Sequence, residues 1–186
     1  MSDDHTVNQP VSGEYLGMPL SISSVDGENR DYFAHCGRGD FRLQRGAASG
    51  LLRYPPSPAC PWSRDRDYDW VSVEGRGVVH SYTEVHHAIQ PAFRAHTPYL
   101  IVLVELDTQR GEPTEHEALR VAGNVVTADG ALAPPDVVAT VGIGTRMRMV
   151  FSPVLDDDGN ASTELAIPNW TVDEDAEQPE PWRYPT

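Results

Sequence analysis

The sequence predicts a mainly β chain: a short N-terminal helix, a small metal-free ribbon, and then a five-stranded Greek-key barrel of the OB type. Three observations carry this. Short runs with strand patterning recur along the chain, punctuated by sixteen prolines and fifteen glycines among 186 residues, the residues that end strands and make turns. Five of these runs follow residue 74, with one helical turn fitting between the third and fourth, which is the element order of a small closed barrel. Ahead of them, residues 46–63 keep the spacing of a four-ligand metal knuckle.

Taken in order, residues 1–24 are expected to form a polar, loosely ordered arm. Asp26–Cys36 predicts a helix: Asp26 serves as N-cap, Tyr32, Phe33 and Cys36 line one face, and Gly37 stops it. Asp40–Arg45 alternates apolar and polar residues, and Leu51–Tyr54 returns as its hairpin partner. The run Tyr54-Pro55-Pro56-Ser57-Pro58 is rigid and extended, because proline restrains itself and its predecessor. Trp70–Val73 supplies a third ribbon strand, so helix and ribbon occupy 25–73. The barrel spans 74–172: Val78–Val85, the highly apolar Tyr99–Leu106, Leu119–Val126, a helical turn from Pro134, Thr145–Phe151 and Ser162–Ile167. Residues 173–186 read as an acidic, proline-rich tail in which Trp182 and Tyr184 are either exposed or docked on a partner.

The knuckle is the most informative segment. Gly46 and Ser49 are separated by two residues, Cys60 and Ser63 by two, and the pairs by ten. This is ribbon spacing, as in a rubredoxin-like knuckle. A structural zinc needs four soft or imidazole ligands. One thiol, two hydroxyls and a glycine do not close that shell, so no metal is expected. Leu43, Leu51, Tyr54, Trp62 and Trp70 are then the residues to hold the ribbon together.

Composition excludes several functions. All fourteen basic residues are arginine, which removes a Schiff-base lysine and a P-loop lysine. A formal net charge of −14 repels a phosphate backbone. No nucleic-acid or membrane partner is therefore expected, and the polar N-terminus and lack of a long apolar run lead to a cytoplasmic reading. No catalytic residue stands out. Cys60 lacks a neighbouring base in the sequence. His80, Tyr82 and Glu84 share a strand face at period two but read as a solvated one. Adjacent His86 and His87 point to opposite sides of a strand. Asp156–Asn160 misses the calcium-loop pattern and reads as a hairpin turn.

Several stretches together carry a family resemblance. These are LQRGAASGLLRYPPSPACPWS from Leu43, WVSVEGRGVVHSYTEVHH from Trp70, PAFRAHTPYLIVLVELD from Pro91 and VGIGTRMRMVF from Val141. The chain resembles the zinc-ribbon/OB-fold acyl-CoA-associated proteins catalogued as domain of unknown function thirty-five, over roughly residues 20–170. In that family cysteines usually stand at 46, 49, 60 and 63. The resemblance implies an accessory subunit in a heteromeric complex of lipid metabolism. Its partner would be a thiolase-like (lipid-transfer-protein-like) enzyme, which carries the catalytic groups and shares an acyl-CoA thioester with it, as in lyases or aldolases of steroid side chains or in acyltransferases. Some members are fused to hydratase-like domains; here the two modules use the length, so no such fusion is expected.

The resulting expectation is a non-catalytic subunit without a cofactor of its own. Its partner-binding residues are expected on the ribbon (Arg53, Trp62) and the loop after the first barrel strand (His86, His87, Pro91, Phe93). Two rivals are an OB-fold nucleic-acid binder, which the charge opposes, and a stand-alone acyl-CoA hydrolase or hydratase, for which the sequence offers no base and nucleophile.

Overall fold

The computed structural model describes residues 10–185. Its ten strands form a seven-stranded sheet and a three-stranded one. The apolar run Tyr99–Leu106 becomes β7, with Leu100, Val102, Val104 and Leu106 all turned into the core. It pairs antiparallel with β6 (Arg76–Val85) on one side and β8 (Arg120–Asn124) on the other. β9 (Arg146–Leu155) pairs with β6 and with β10 (Ala161–Val172). A parallel bridge from Val125 to Trp170 then joins the end of β8 to β10. The circuit β6-β7-β8-β10-β9-β6 closes, and α2 (Pro135–Val138) sits between β8 and β9. This is the predicted OB barrel. Closure removes free sheet edges, and the fully buried Trp170 fills the interior, donating its indole N–H to the Val121 carbonyl at 3.2 Å.

α1 (Gly27–Gly37) starts where the cap residue predicts. Asp26 accepts from the Asn29 backbone N–H at 3.3 Å and from its side-chain amide at 2.8 Å, satisfying a donor that the first turn leaves free. Tyr32 and Cys36, one helical turn apart, are its buried residues. The Tyr32 ring meets Phe33, Phe41 and Tyr54 at 5.2, 6.4 and 5.9 Å. The ribbon is the small sheet β4 (Leu52–Arg53), β3 (Arg42–Gly46), β5 (Tyr68–Ser72), in that order. Leu43, Leu52 and Val73 share one continuous core with Tyr32 and the barrel valines, and Tyr54 and Trp70 pack against it. Burial of these apolar side chains therefore holds the small sheet against the barrel.

Three local findings refine the sequence reading. The glycine pair before β6 has two different reasons: Gly75 adopts φ +70, while a β-carbon on Gly77 would press on the Glu105 carbonyl and lie 2.8 Å from Val104. A bulge between Val79 and Ser81 drops His80 out of register with β7, so His80 leaves the face it was expected to share with Tyr82 and Glu84. The Asp156–Asn160 turn forms as expected, with Asp156 accepting from the Asp158 and Asn160 N–H groups and Gly159 at φ +79.

Two expectations are corrected. The arm is not loosely ordered over its described part: Val11–Tyr15 and Met18–Ile22 form a hairpin, β1 and β2, which joins β9 through Glu14 and Leu155. Tyr15 packs with Val154 and Leu165 beneath it. Its alternation is diluted by serine, glycine and proline, so its burial shows only against the barrel. Residues 1–9 lie outside the described residues. The tail is not free either, as set out below.

Candidate functional site

The four positions with knuckle spacing, Gly46, Ser49, Cys60 and Ser63, converge on one thiol. Gly46 ends β3, and Ser49 lies in the turn that its backbone closes, with Gly50 N–H donating to Gly46 O at 2.8 Å. A β-carbon on Gly46 would lie 2.8 Å from Ser49 Oγ and 3.6 Å from Cys60 Sγ. Ser49 Oγ is 3.6 Å from Cys60 Sγ. Across the knuckle, Cys60 N–H donates to Asp65 O at 2.7 Å and Cys60 O accepts from Arg64 at 2.9 Å. Ser63 also bonds the thiol. Burial pushes the Cys60 thiol up, but the Ser63 side chain and backbone, Ser49 and the Trp62 backbone outweigh it and bring it down to about 7. The Cys60 thiol is thus surrounded by hydroxyl and amide partners. Among the described residues no cluster of three metal-ligating side chains occurs. Cys36 sits in the main core, where burial raises its thiol to about 12.

The predicted interface residues divide. Arg53 is corrected: it is 1% exposed, donating to Gln44 Oε1 and the Ser57 carbonyl, both at 2.9 Å, with its guanidinium 4.7 Å from the Tyr68 ring centre. An arginine in a two-residue strand reads as a surface charge, and only the fold shows it is an internal strut. Phe93 is also turned inward, its ring 6.3 Å from Tyr15 and 5.3 Å from Tyr99. Trp62 is half-buried. His86, His87 and Pro91 are exposed, and Ile89 between them is 85% exposed. Sequence reasoning missed Ile89, although an isoleucine between two histidines and a short helix (Pro91–His96) was a readable signal.

The tail was read as a disordered acidic tail or an arm docked on a partner; its backbone is bound to its own barrel, while the Trp182 and Tyr184 rings are exposed. Trp182 and Ile143 exchange two backbone hydrogen bonds of 2.9 Å each. Arg183 turns inward, donating to Glu84 Oε2 at 2.7 Å, to the Val138 carbonyl at 2.8 Å and to the Val141 carbonyl. Tyr184 N–H donates to the Tyr82 hydroxyl at 2.8 Å. Nearer β10, Arg76 pairs with the buried Asp173 at 2.8 Å, and Gln178 bonds the Arg146 backbone in both directions. Tyr82 and Glu84 are thereby taken up by the tail. His80 instead lines a cavity of about 270 Å³ with Glu105, Arg110 and Ile143. Its Nδ1 stands 3.9 Å from Glu105 Oε2, beyond hydrogen-bond reach.

A small three-stranded sheet sharing its core with an OB barrel defines the class: a mainly β protein built on an OB barrel. Comparisons with known proteins agree. Residues 70–152 match the family model described as ChsH2, C-terminal OB-fold domain. The solved structure titled "Ltp2-ChsH2(DUF35) aldolase" superposes with a TM-score of 0.58 at 29% identity, covering 81% of this chain and 98% of that one. Residues 70–152 are thus similar to the OB-fold domain of that family, and the chain shares its fold with that structure.

Two curated relatives match in part. A probable enoyl-CoA hydratase alpha subunit of Thermomonospora curvata is 39% identical over 83 residues, 45% of this chain. The 3-oxo-4,17-pregnadiene-20-carboxyl-CoA hydratase alpha subunit of Mycobacterium tuberculosis is 37% identical over 112 residues, 60% of this chain. These matches span 25% and 30% of the relatives' own lengths. Among the described residues no helix is long and apolar enough to cross a membrane.

Proposed function

We propose that this chain is a non-catalytic accessory subunit that binds and stabilises a thiolase-like enzyme acting on acyl-CoA thioesters, with side-chain cleavage of a steroid-type CoA ester as the reaction of the complex. The observation that carries the reading is the match to the Ltp2-ChsH2(DUF35) aldolase, which extends over nearly the whole of that chain and most of this one. The name of the mycobacterial relative, a pregnadiene-carboxyl-CoA hydratase subunit, supports the steroid-type substrate.

The site chemistry fits an accessory role. Cys60 is 1% exposed and held by hydroxyl and amide groups, so it is a structural thiol in a closed knuckle. His86 lies 3.4 Å from Glu84 Oε1 at the surface, and Glu84 already serves Arg183. The proposed contact face is the exposed loop of His86, His87, Ile89 and Pro91, with Trp62 on the ribbon. It offers an isolated apolar anchor rimmed by polar groups, which suits a protein interface. The CoA thioester belongs to the partner's active site, and this chain holds no cofactor of its own.

Co-expression with a thiolase-like aldolase from the same organism, followed by size-exclusion chromatography and steroid-CoA cleavage assays, tests the reading. A stoichiometric complex, more active or longer-lived than the aldolase alone, is expected. Separate elution with unchanged aldolase activity would overturn it. The hydratase names favour a second reading, in which the barrel serves a hydratase instead; complex formation with a hydratase subunit alone would select it.

A further inference from the structure

The tail has an outer face that its internal contacts leave open. Over residues 173–185 the side chains sort by direction: Asp173 and Arg183 turn inward, whereas Glu174, Asp175, Glu177 and Glu180 are exposed. Trp182 and Tyr184 flank the inward arginine and are 51% and 59% exposed. Their rings meet edge-on at 4.6 Å, and Tyr184 lies 5.6 Å from Tyr82 beneath it. The strip therefore presents two aromatic rings and the carboxylates of Glu174, Glu177 and Glu180, with Asp175 exposed but within 3.7 Å of the Arg76 guanidinium. Its single basic residue, Arg183, is turned inward onto Glu84 and the carbonyls of Val138 and Val141.

We infer that this strip is a preformed docking surface for an arginine- or lysine-bearing face of the partner enzyme. Rings of tryptophan and tyrosine attract a guanidinium or ammonium placed over them, and the exposed carboxylates earlier in the tail add attraction of the same sign. The chain's net charge of −14 steers such a partner from a distance. The backbone bonds at Trp182 and Tyr184 hold the rings before binding, so little ordering entropy is lost on association. The strip is also continuous with the proposed loop face: Tyr184 and Pro185 share a cleft of about 310 Å³ with His86 and Thr83. The inference rests on the accessory-subunit reading and adds the anchors and the charge of the partner's surface.

The test is a binding titration of the full chain against a purified thiolase-like aldolase from the same organism at several salt concentrations. Three forms are compared: the unaltered chain, W182A/Y184A and E174Q/E177Q/E180Q. Amide exchange at Ile143 checks that the tail stays seated in each variant. The unaltered chain is expected to bind with an affinity that falls as salt rises. W182A/Y184A should bind about tenfold more weakly or worse, as expected for losing aromatic anchors, and the triple glutamine variant should associate more slowly with a flatter salt dependence. Binding that both variants leave unchanged would overturn the strip while leaving the accessory-subunit reading intact. Failure of the unaltered chain to bind would overturn both.

Discussion

Replacing Gly142 by alanine should peel the tail from the barrel without unfolding it. The new β-carbon would press on the Trp182 carbonyl and sit 2.8 Å from Arg183 Cγ. The first is backbone and cannot swing aside. Relief requires the tail to move, which breaks the two Trp182–Ile143 hydrogen bonds, worth about 0.5–1.5 kcal/mol each. The Arg183–Glu84 pair is partly exposed and adds about 1 kcal/mol or less. Together the seating loses about 1–4 kcal/mol, and about 3 kcal/mol corresponds to more than about a hundredfold rise in the detached population. Hydrogen exchange at the Ile143 and Trp182 amides reads this directly. Both should lose protection, while the Val102 and Val104 amides of the core strand keep theirs. Unchanged protection at Ile143 and Trp182 would refute the idea that the close approach of Gly142 seats the tail.

Three further outcomes follow from the same contacts. Arg53→Ala should destabilise the chain by about 2–4 kcal/mol in urea unfolding, because it removes a buried side chain and two of its hydrogen bonds; a surface arginine would cost almost nothing. The Cys60 thiol, near 7 in the fold against 9.0 ordinarily, is ionised more readily when folded. Stability should therefore rise as pH climbs from about 7 towards 9 and fall as pH drops through 7, and Cys60→Ala should flatten that segment of the urea-midpoint profile. Above 9 the buried Cys36, raised to about 12, works the other way, since only the unfolded chain then ionises it. Finally, a chelator such as EDTA should leave the melting temperature unchanged, because no metal-ligating cluster occurs among the described residues and the ribbon rests on Leu43 and Leu52; a drop of several degrees would overturn the metal-free knuckle.

What the sequence by itself determined was local, or carried by strong periodicity. Asp26 capped a helix because its carboxylate reaches a free amide three residues on. Tyr99–Leu106 formed a central strand because eight consecutive residues of that character have no other place to go. The spacing of 46, 49, 60 and 63 predicted that these positions lie together, and they do gather around one thiol. The tertiary structure alone decided the rest, and each case depends on a partner distant in sequence. The β1–β2 hairpin is ordered by Leu155 and the residues beneath it. His80 leaves its strand face because β7 imposes a bulge. Arg53 is internal because Gln44, Ser57 and Tyr68 surround it. The tail lies down because Ile143 offers backbone partners and Glu84 receives Arg183. A short polar segment carries little burial signal of its own, so whether it is arm, strut or strap is settled by the surface it meets.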